Sequence, residues 1–123
     1  MRDACAAARR RIEWEIALRE KGYEVTTKLE RGAPLPQWYL DEPVASSGTR
    51  LILDAFWELT TERAVGMALG QIPQSRIDAY GARLGLSRGM MGLFSAAIRT
   101  CDDAYLGWAA KRRERAQGKS TNV

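Results

Sequence analysis

The sequence predicts an all-α fold, and three observations carry that expectation. Alanine is abundant, with 18 residues in a chain of 123, and it loses no side-chain entropy on entering a helix. The β-branched residues are scattered, and no stretch alternates apolar and polar side chains over strand length. Apolar residues recur instead at helical spacing between Ser, Thr, Gly and Pro punctuation. The expected architecture is a compact domain of about four helices, preceded by an N-terminal helix and a Pro-containing linker. The chain divides into an N-terminal arm (1–22), a linker (23–48), a helical domain (49–116) and a disordered tail (117–123).

The first helix is expected over 3–21. Cys5, Ala8, Ile12 and Ile16 form one stripe, and Ala4, Ala7, Trp14 and Leu18 form a second, rotated well away from it. Gly22 is the expected stop. A helix packed on one small core needs a single apolar face. Two faces suit contact with both its own domain and a partner, although a large half-exposed Trp14 is also ordinary. In the linker, Val25-Thr-Thr is read as a brief strand. Gly32-Ala-Pro-Leu-Pro36 cannot continue a helix. Trp38-Tyr39-Leu40 follows at once, and three large apolar residues are unusual in a solvated spacer. They either fold back onto the helical domain, where aromatic burial is strongly stabilising, or form a docking motif.

A helix over 49–59 places Leu51, Ile52, Ala55, Phe56 and Leu59 on one broad face, widened by Leu53 and Trp57. Arg50, Asp54 and Glu58 mark its wet strip. Thr60 or Thr61 caps a following helix that runs to Leu69, with Glu62 in its first turn. Gly70 closes it, and Ile72-Pro73 turns a corner. Ser75 caps the next helix, which points Ile77, Tyr80, Gly81 and Leu84 inward and ends at Gly85. Ser87 caps the last helix, over 88–116. Its stripe is Met90, Met91, Phe94, Ala97, Ile98, Cys101, Tyr105, Trp108 and Ala109, with Arg99, Asp102, Asp103 and Lys111 on other faces.

The net charge of +4 is uneven, because residues 81–123 alone carry +5. The basic excess lies in Lys111-Arg-Arg-Glu-Arg115 and Lys119. Such a run touches nucleic acid in some proteins; in others it is the solvated end of a helix, where cations complement the dipole. Two distant cysteines form no disulfide framework and fit a reducing compartment. No run approaches the ~18 apolar residues of a membrane span. The N-terminus lacks the apolar core of a signal peptide. Localisation in the cytoplasm is expected.

The sequence contains no histidine. That removes the commonest general base and metal ligand, together with every His-assisted nucleophile. Two isolated cysteines make no zinc site, and no phosphate loop or dinucleotide fingerprint appears. Asp102 and Asp103 point in different directions on a helix and form no carboxylate dyad. No cofactor is expected, and a non-enzymatic binding or assembly module is the reading. Residues 80–94 match the spacing of a helix-turn-helix around Gly85. In a DNA-binding alternative, Arg88 starts the reading helix and Arg112 and Arg113 add backbone contacts. However, Gly89, Met90 and Gly92 stand where base-reading side chains belong.

The segment Ala55-Phe-Trp-Glu-Leu-Thr-Thr-Glu-Arg63, with Gly66-Met67, Gly70-Gln71-Ile72-Pro73, Ser75, Ile77, Tyr80, Ile98-Arg99 and Asp103-Ala-Tyr-Leu106, resembles bacteriophage tail assembly chaperone-type proteins. Pro34-Leu-Pro-Gln-Trp38 is similar to that family's linker, so the likeness covers about 34–109. Gln71 and Gln74 stand where the family's corner is expected to carry Pro and Trp. The resemblance implies a helper, encoded near the tape-measure gene, that binds the tape-measure protein and gathers tail tube subunits in the host bacterial cytoplasm. It uses no nucleotide or metal. Some such proteins are frameshift extensions, and the Ala/Arg-rich start fits such a junction. Self-association and a minor structural role in the mature tail remain alternatives. Trp14, Leu18, Trp38, Tyr39 and Leu40 are the expected partner contacts, with Phe56, Trp57, Phe94 and Tyr105 as core.

Overall fold

The computed structural model describes residues 2–63 and 69–121. Five helices follow in order: α1 Arg2–Arg31, α2 Gln37–Leu40, α3 Ser47–Thr60, α4 Gln74–Arg83 and α5 Arg88–Thr121. No strand occurs among the described residues, as the scattered β-branched residues predict.

Helix α1 overruns its expected stop. Gly22 lies within it, and Val25-Thr-Thr is helical rather than extended. An internal glycine costs about 1 kcal/mol relative to alanine, and that cost is offset locally. Val25 is buried, Lys28 pairs with Glu24 at 3.5 Å, and Lys28 and Arg31 complement the dipole in the last turn. The true stop is Gly32, at φ +66°. Its N–H bonds the Leu29 carbonyl and the Ala33 N–H bonds the Lys28 carbonyl, the paired closure that a left-handed residue permits. Gly85, at φ +72°, ends α4 in the same way, through bonds to Ala82 and Gly81.

Of the helix caps expected from the sequence, Ser87 is observed and Ser75 is not, while α3 carries a cap that the sequence had not suggested. The Ser46 hydroxyl accepts the Thr49 N–H at 3.1 Å and caps α3. The Ser87 hydroxyl accepts the Met90 N–H at 3.3 Å and caps α5. Ser75 caps nothing, because α4 begins one residue earlier. The Pro73 carbonyl receives the Arg76 and Ile77 N–H groups, which places Ser75 inside the first turn. Thr60 still belongs to α3, and the Thr61 N–H closes that helix. The rest of the helix expected there falls largely outside the described residues. At the other end, α5 continues to Thr121, past its expected limit at 116.

Helices α1, α3 and α5 run parallel. Cys101 Sγ approaches the Ala8 carbonyl at 3.9 Å, and further along both helices Trp108 Nε1 donates to Glu20 at 2.8 Å. Trp57 Nε1 of α3 reaches Glu15 at 2.7 Å, and Phe56 meets Tyr105 edge-on at 5.7 Å. Helix α4 returns against α5, with Tyr80 stacked on Phe94 at 6.0 Å. The single core contains Ile12, Leu53, Phe56, Leu59, Ile72, Ile77, Phe94 and Ile98, with Trp57 and Tyr105 packed against it. All four residues expected as core are therefore in or against it. Three inward assignments fail, Leu51 of α3 among them, which is exposed. Leu84 ends α4 and is exposed, and Met90 is 51% exposed.

Candidate partner-binding site

After Gly32 the chain folds back along α1, so the aromatic linker packs on the N-terminal helix rather than on the helical domain. Arg11 anchors the return by donating to Glu42 at 2.6 Å and to the Pro43 carbonyl at 3.1 Å. Trp14 Nε1 donates to the Trp38 carbonyl at 3.2 Å. The Trp14 and Tyr39 rings lie 5.9 Å apart, and Trp38 meets Tyr39 edge-on at 6.1 Å. The Lys21 ammonium stands 4.8 Å from the Trp38 ring. Trp38 Nε1 is buried without an acceptor.

The structure thus brings Trp14, Trp38 and Tyr39 into one half-buried cluster. Leu18 lines an adjoining cleft of about 400 Å³ with Trp14, Arg19, Arg50, Leu53 and Asp54. Leu40 stands 57% exposed at the end of α2.

Sequence reasoning missed a second surface. The N-terminal ends of α1, α3 and α5 enclose an apolar groove of about 400 Å³, with Leu51, Ile52, Leu86, Met90, Leu93 and Phe94 among its lining. Ala4 and Ala7 form the α1 wall, and Asp3 is the one charged lining residue. The period-breaking exposure of Leu51 and Met90 follows from this opening.

Behind the Gly70–Pro73 corner lies a buried polar network, also missed. Asp102 was expected away from the core face, yet it is buried. One carboxylate oxygen accepts from Arg63 at 2.5 Å and the other from the Ile72 N–H at 3.1 Å. Arg63 also donates to Thr60 Oγ1 and to the Gly70 carbonyl, both at 2.9 Å. Arg99 donates to the Ile72 carbonyl at 2.6 Å and to Gln74 at 3.2 Å, and Gln74 reaches Ser95 at 2.9 Å. Every partner holds the corner, so the arrangement is architectural. The signal was present: Asp102 sits four residues after Ile98 and three before Tyr105, on the apolar stripe.

Burial pushes the Cys101 thiol up to about 12, which keeps it protonated and unreactive. Its hydrogen bond to Glu58 first, and burial second, raise the Tyr80 hydroxyl above its ordinary value. No cluster of metal-ligating residues occurs among the described residues, and no helix there is long and apolar enough to cross a membrane.

Helices α4 and α5 do form a helix-turn-helix arrangement around Gly85. Its three candidate cations do not converge. Arg88 opens α5, whereas Arg112 and Arg113 lie roughly 36 Å further along it at 1.5 Å per residue. Arg112 covers the Trp108 ring at 5.4 Å.

A family model for phage tail assembly chaperones matches residues 29–107. The chain belongs to the phage tail assembly chaperone family. No curated protein and no solved structure matched it. Within this tail assembly chaperone, the matched region takes in α2, α3, α4 and most of α5. The Arg63–Asp102 network lies wholly inside it. Trp38, Tyr39 and Leu40 also lie inside, while Trp14 and Leu18 lie on the part of α1 that precedes it. Gln74, which departs from the expected corner pattern, is used here as a bridge between α4 and α5.

Proposed function

We propose that this tail assembly chaperone binds the tape-measure protein of its phage and assists tail tube assembly without catalysing a reaction. Membership of the family over 29–107 carries this reading. The contact surface is the α1–α2 face formed by Trp14, Leu18, Trp38, Tyr39 and Leu40. Half-buried aromatics beside an exposed leucine offer large apolar area at little further ordering cost. The tape-measure and tail tube proteins are the partners, and the host bacterial cytoplasm is where they would meet.

Co-expression with the tape-measure gene product tests the proposal. Soluble tape-measure protein should be recovered with the wild-type chain and lost with the Trp38→Ala/Tyr39→Ala variant. Recovery with both would move the contact off α2. Insoluble tape-measure protein with nothing bound would remove the chaperone reading. Detection of the chain in purified virions would favour a structural component of the tail instead.

A further inference from the structure

We infer that the cleft beside Trp14 is an acidic-residue subsite, in which Arg19 and Arg50 take one glutamate or aspartate side chain of a bound protein segment. The inference rests on the proposed α1–α2 contact face and names the chemistry that this face selects. Its test uses no tape-measure protein, so the two can fail separately.

The cleft, of about 400 Å³, lies between α1 and α3, with Arg19 lining it from the first helix and Arg50 from the second. Both arginines are exposed. Neither forms an ion pair among the described residues. Arg19 is nevertheless held in place, because its Cζ stands 3.8 Å from the centre of the Trp57 ring. Trp57 is fixed in turn. Its Nε1 donates to Glu15 Oε1 at 2.7 Å, and Arg11 donates to Glu15 Oε2 at 2.6 Å. Both Glu15 oxygens are thereby engaged, and Arg19 is left without a carboxylate. A guanidinium stacked on an indole keeps its in-plane N–H donors free to bind one.

Charge selects a single carboxylate over a polyanion. The lining sets Arg11, Arg19 and Arg50 against Glu15 and Asp54, three minus two, or +1. One carboxylate neutralises that balance, whereas a run of phosphates would also face Glu15 and Asp54. Asp54 does not quench Arg50. It lies four residues after Arg50 on α3, the less favourable order for a helical ion pair, and no ion pair joins them. The other walls suit a protein segment. Trp14 and Leu18 are half-buried and Leu53 is buried, so an apolar neighbour of the acidic residue has apolar surface to cover.

Two amidated heptapeptides test this, identical except for a central glutamate or glutamine between two leucines. Each is titrated into the isotope-labelled full chain, and binding is read from the Arg19 and Arg50 Nε–H signals and the Trp14 indole signal. Exposed ion pairs contribute up to about 1 kcal/mol, so the glutamate peptide should bind about fivefold more tightly than the glutamine peptide. That preference should shrink with salt. Arg19→Gln/Arg50→Gln should abolish it with unchanged circular dichroism. Equal affinity for the two peptides, a preference that survives in the arginine variant, or no binding of either would overturn the inference. So would inorganic phosphate that displaces the glutamate peptide at matched concentration, since the cleft would then be a general anion site. A glutamate preference alongside failed co-expression would remove the tape-measure reading and leave the subsite standing. The reverse pair of results would remove the subsite alone.

Discussion

Arg63 Nη2 and Asp102 Oδ1 meet at 2.5 Å, with their side chains only 2% and 1% exposed. They tie the turn after α3 to the middle of α5, with Asp102 also accepting the Ile72 N–H and Arg63 donating to the Gly70 carbonyl. Breaking one partner of such a pair leaves a buried charge uncompensated and costs about 3–5 kcal/mol. Asp102→Ala should therefore lower unfolding free energy by about that amount in urea titration. Replacing both groups with apolar residues, as in Arg63→Met/Asp102→Leu, removes the stranded charge. The double variant should lose distinctly less than the two single variants summed, and additive losses would argue against a coupled pair.

The two glycines near the end of α1 should respond oppositely to alanine. Gly22 is inside the helix, and an added Cβ would meet only Leu18 Cδ1 at 3.9 Å, an ordinary contact. Gly22→Ala should raise stability by about 0.5–1 kcal/mol. Gly32 has open space around it but sits at φ +66°, where a side chain costs about 1–2 kcal/mol. Gly32→Ala should destabilise by that amount despite clashing with nothing. Both values can be read from urea midpoints at constant slope.

Those glycines also show what was legible in the sequence. Local chemistry was readable in part: Ser87 caps α5, Gly85 turns, and the core face of α3 follows its apolar spacing apart from the exposed Leu51. Gly22 was misread because a glycine stops a helix only where the chain turns left-handed, and Gly32 followed by Pro34 is that place. The spacing placed Asp102 on the apolar stripe, but its polar type hid that, and the partner that explains it, Arg63, lies 39 positions away. The aromatic face was half legible. Trp38 and Tyr39 stood out in composition, but their docking on Trp14 needed the fold-back. The groove was invisible, since it is made from the ends of three helices distant in sequence.

Gly81 permits the close crossing of α4 and α5. A Cβ there would collide with Met91 Sδ and Cε, and would also touch Leu86 Cδ1 at 3.6 Å. Because the obstructing atoms end a flexible side chain, alanine should be tolerated better than a branched residue. Gly81→Val should destabilise by about 1–3 kcal/mol through overpacking. Met91→Ala should recover part of that loss in the double variant, although it costs stability alone. A double-mutant cycle with no coupling would show that the two residues do not meet.

Cys101 gives the chain an alkaline limit. In the unfolded state its thiol ionises near the ordinary value of 9.0, whereas burial in the core holds it protonated to about 12. Between those values the unfolded chain binds fewer protons than the folded one, so stability must fall as pH rises. The contribution is fully present below pH 9 and declines by at most about 1.4 kcal/mol per pH unit above it. Tyr80, whose hydroxyl is also raised, acts in the same direction through its own ordinary range. Urea titrations from pH 8 to pH 11 should therefore show a steeper decline for wild type than for Cys101→Ala. Parallel curves would mean that the thiol ionises in the folded protein and is less shielded than its place between α1 and α5 implies.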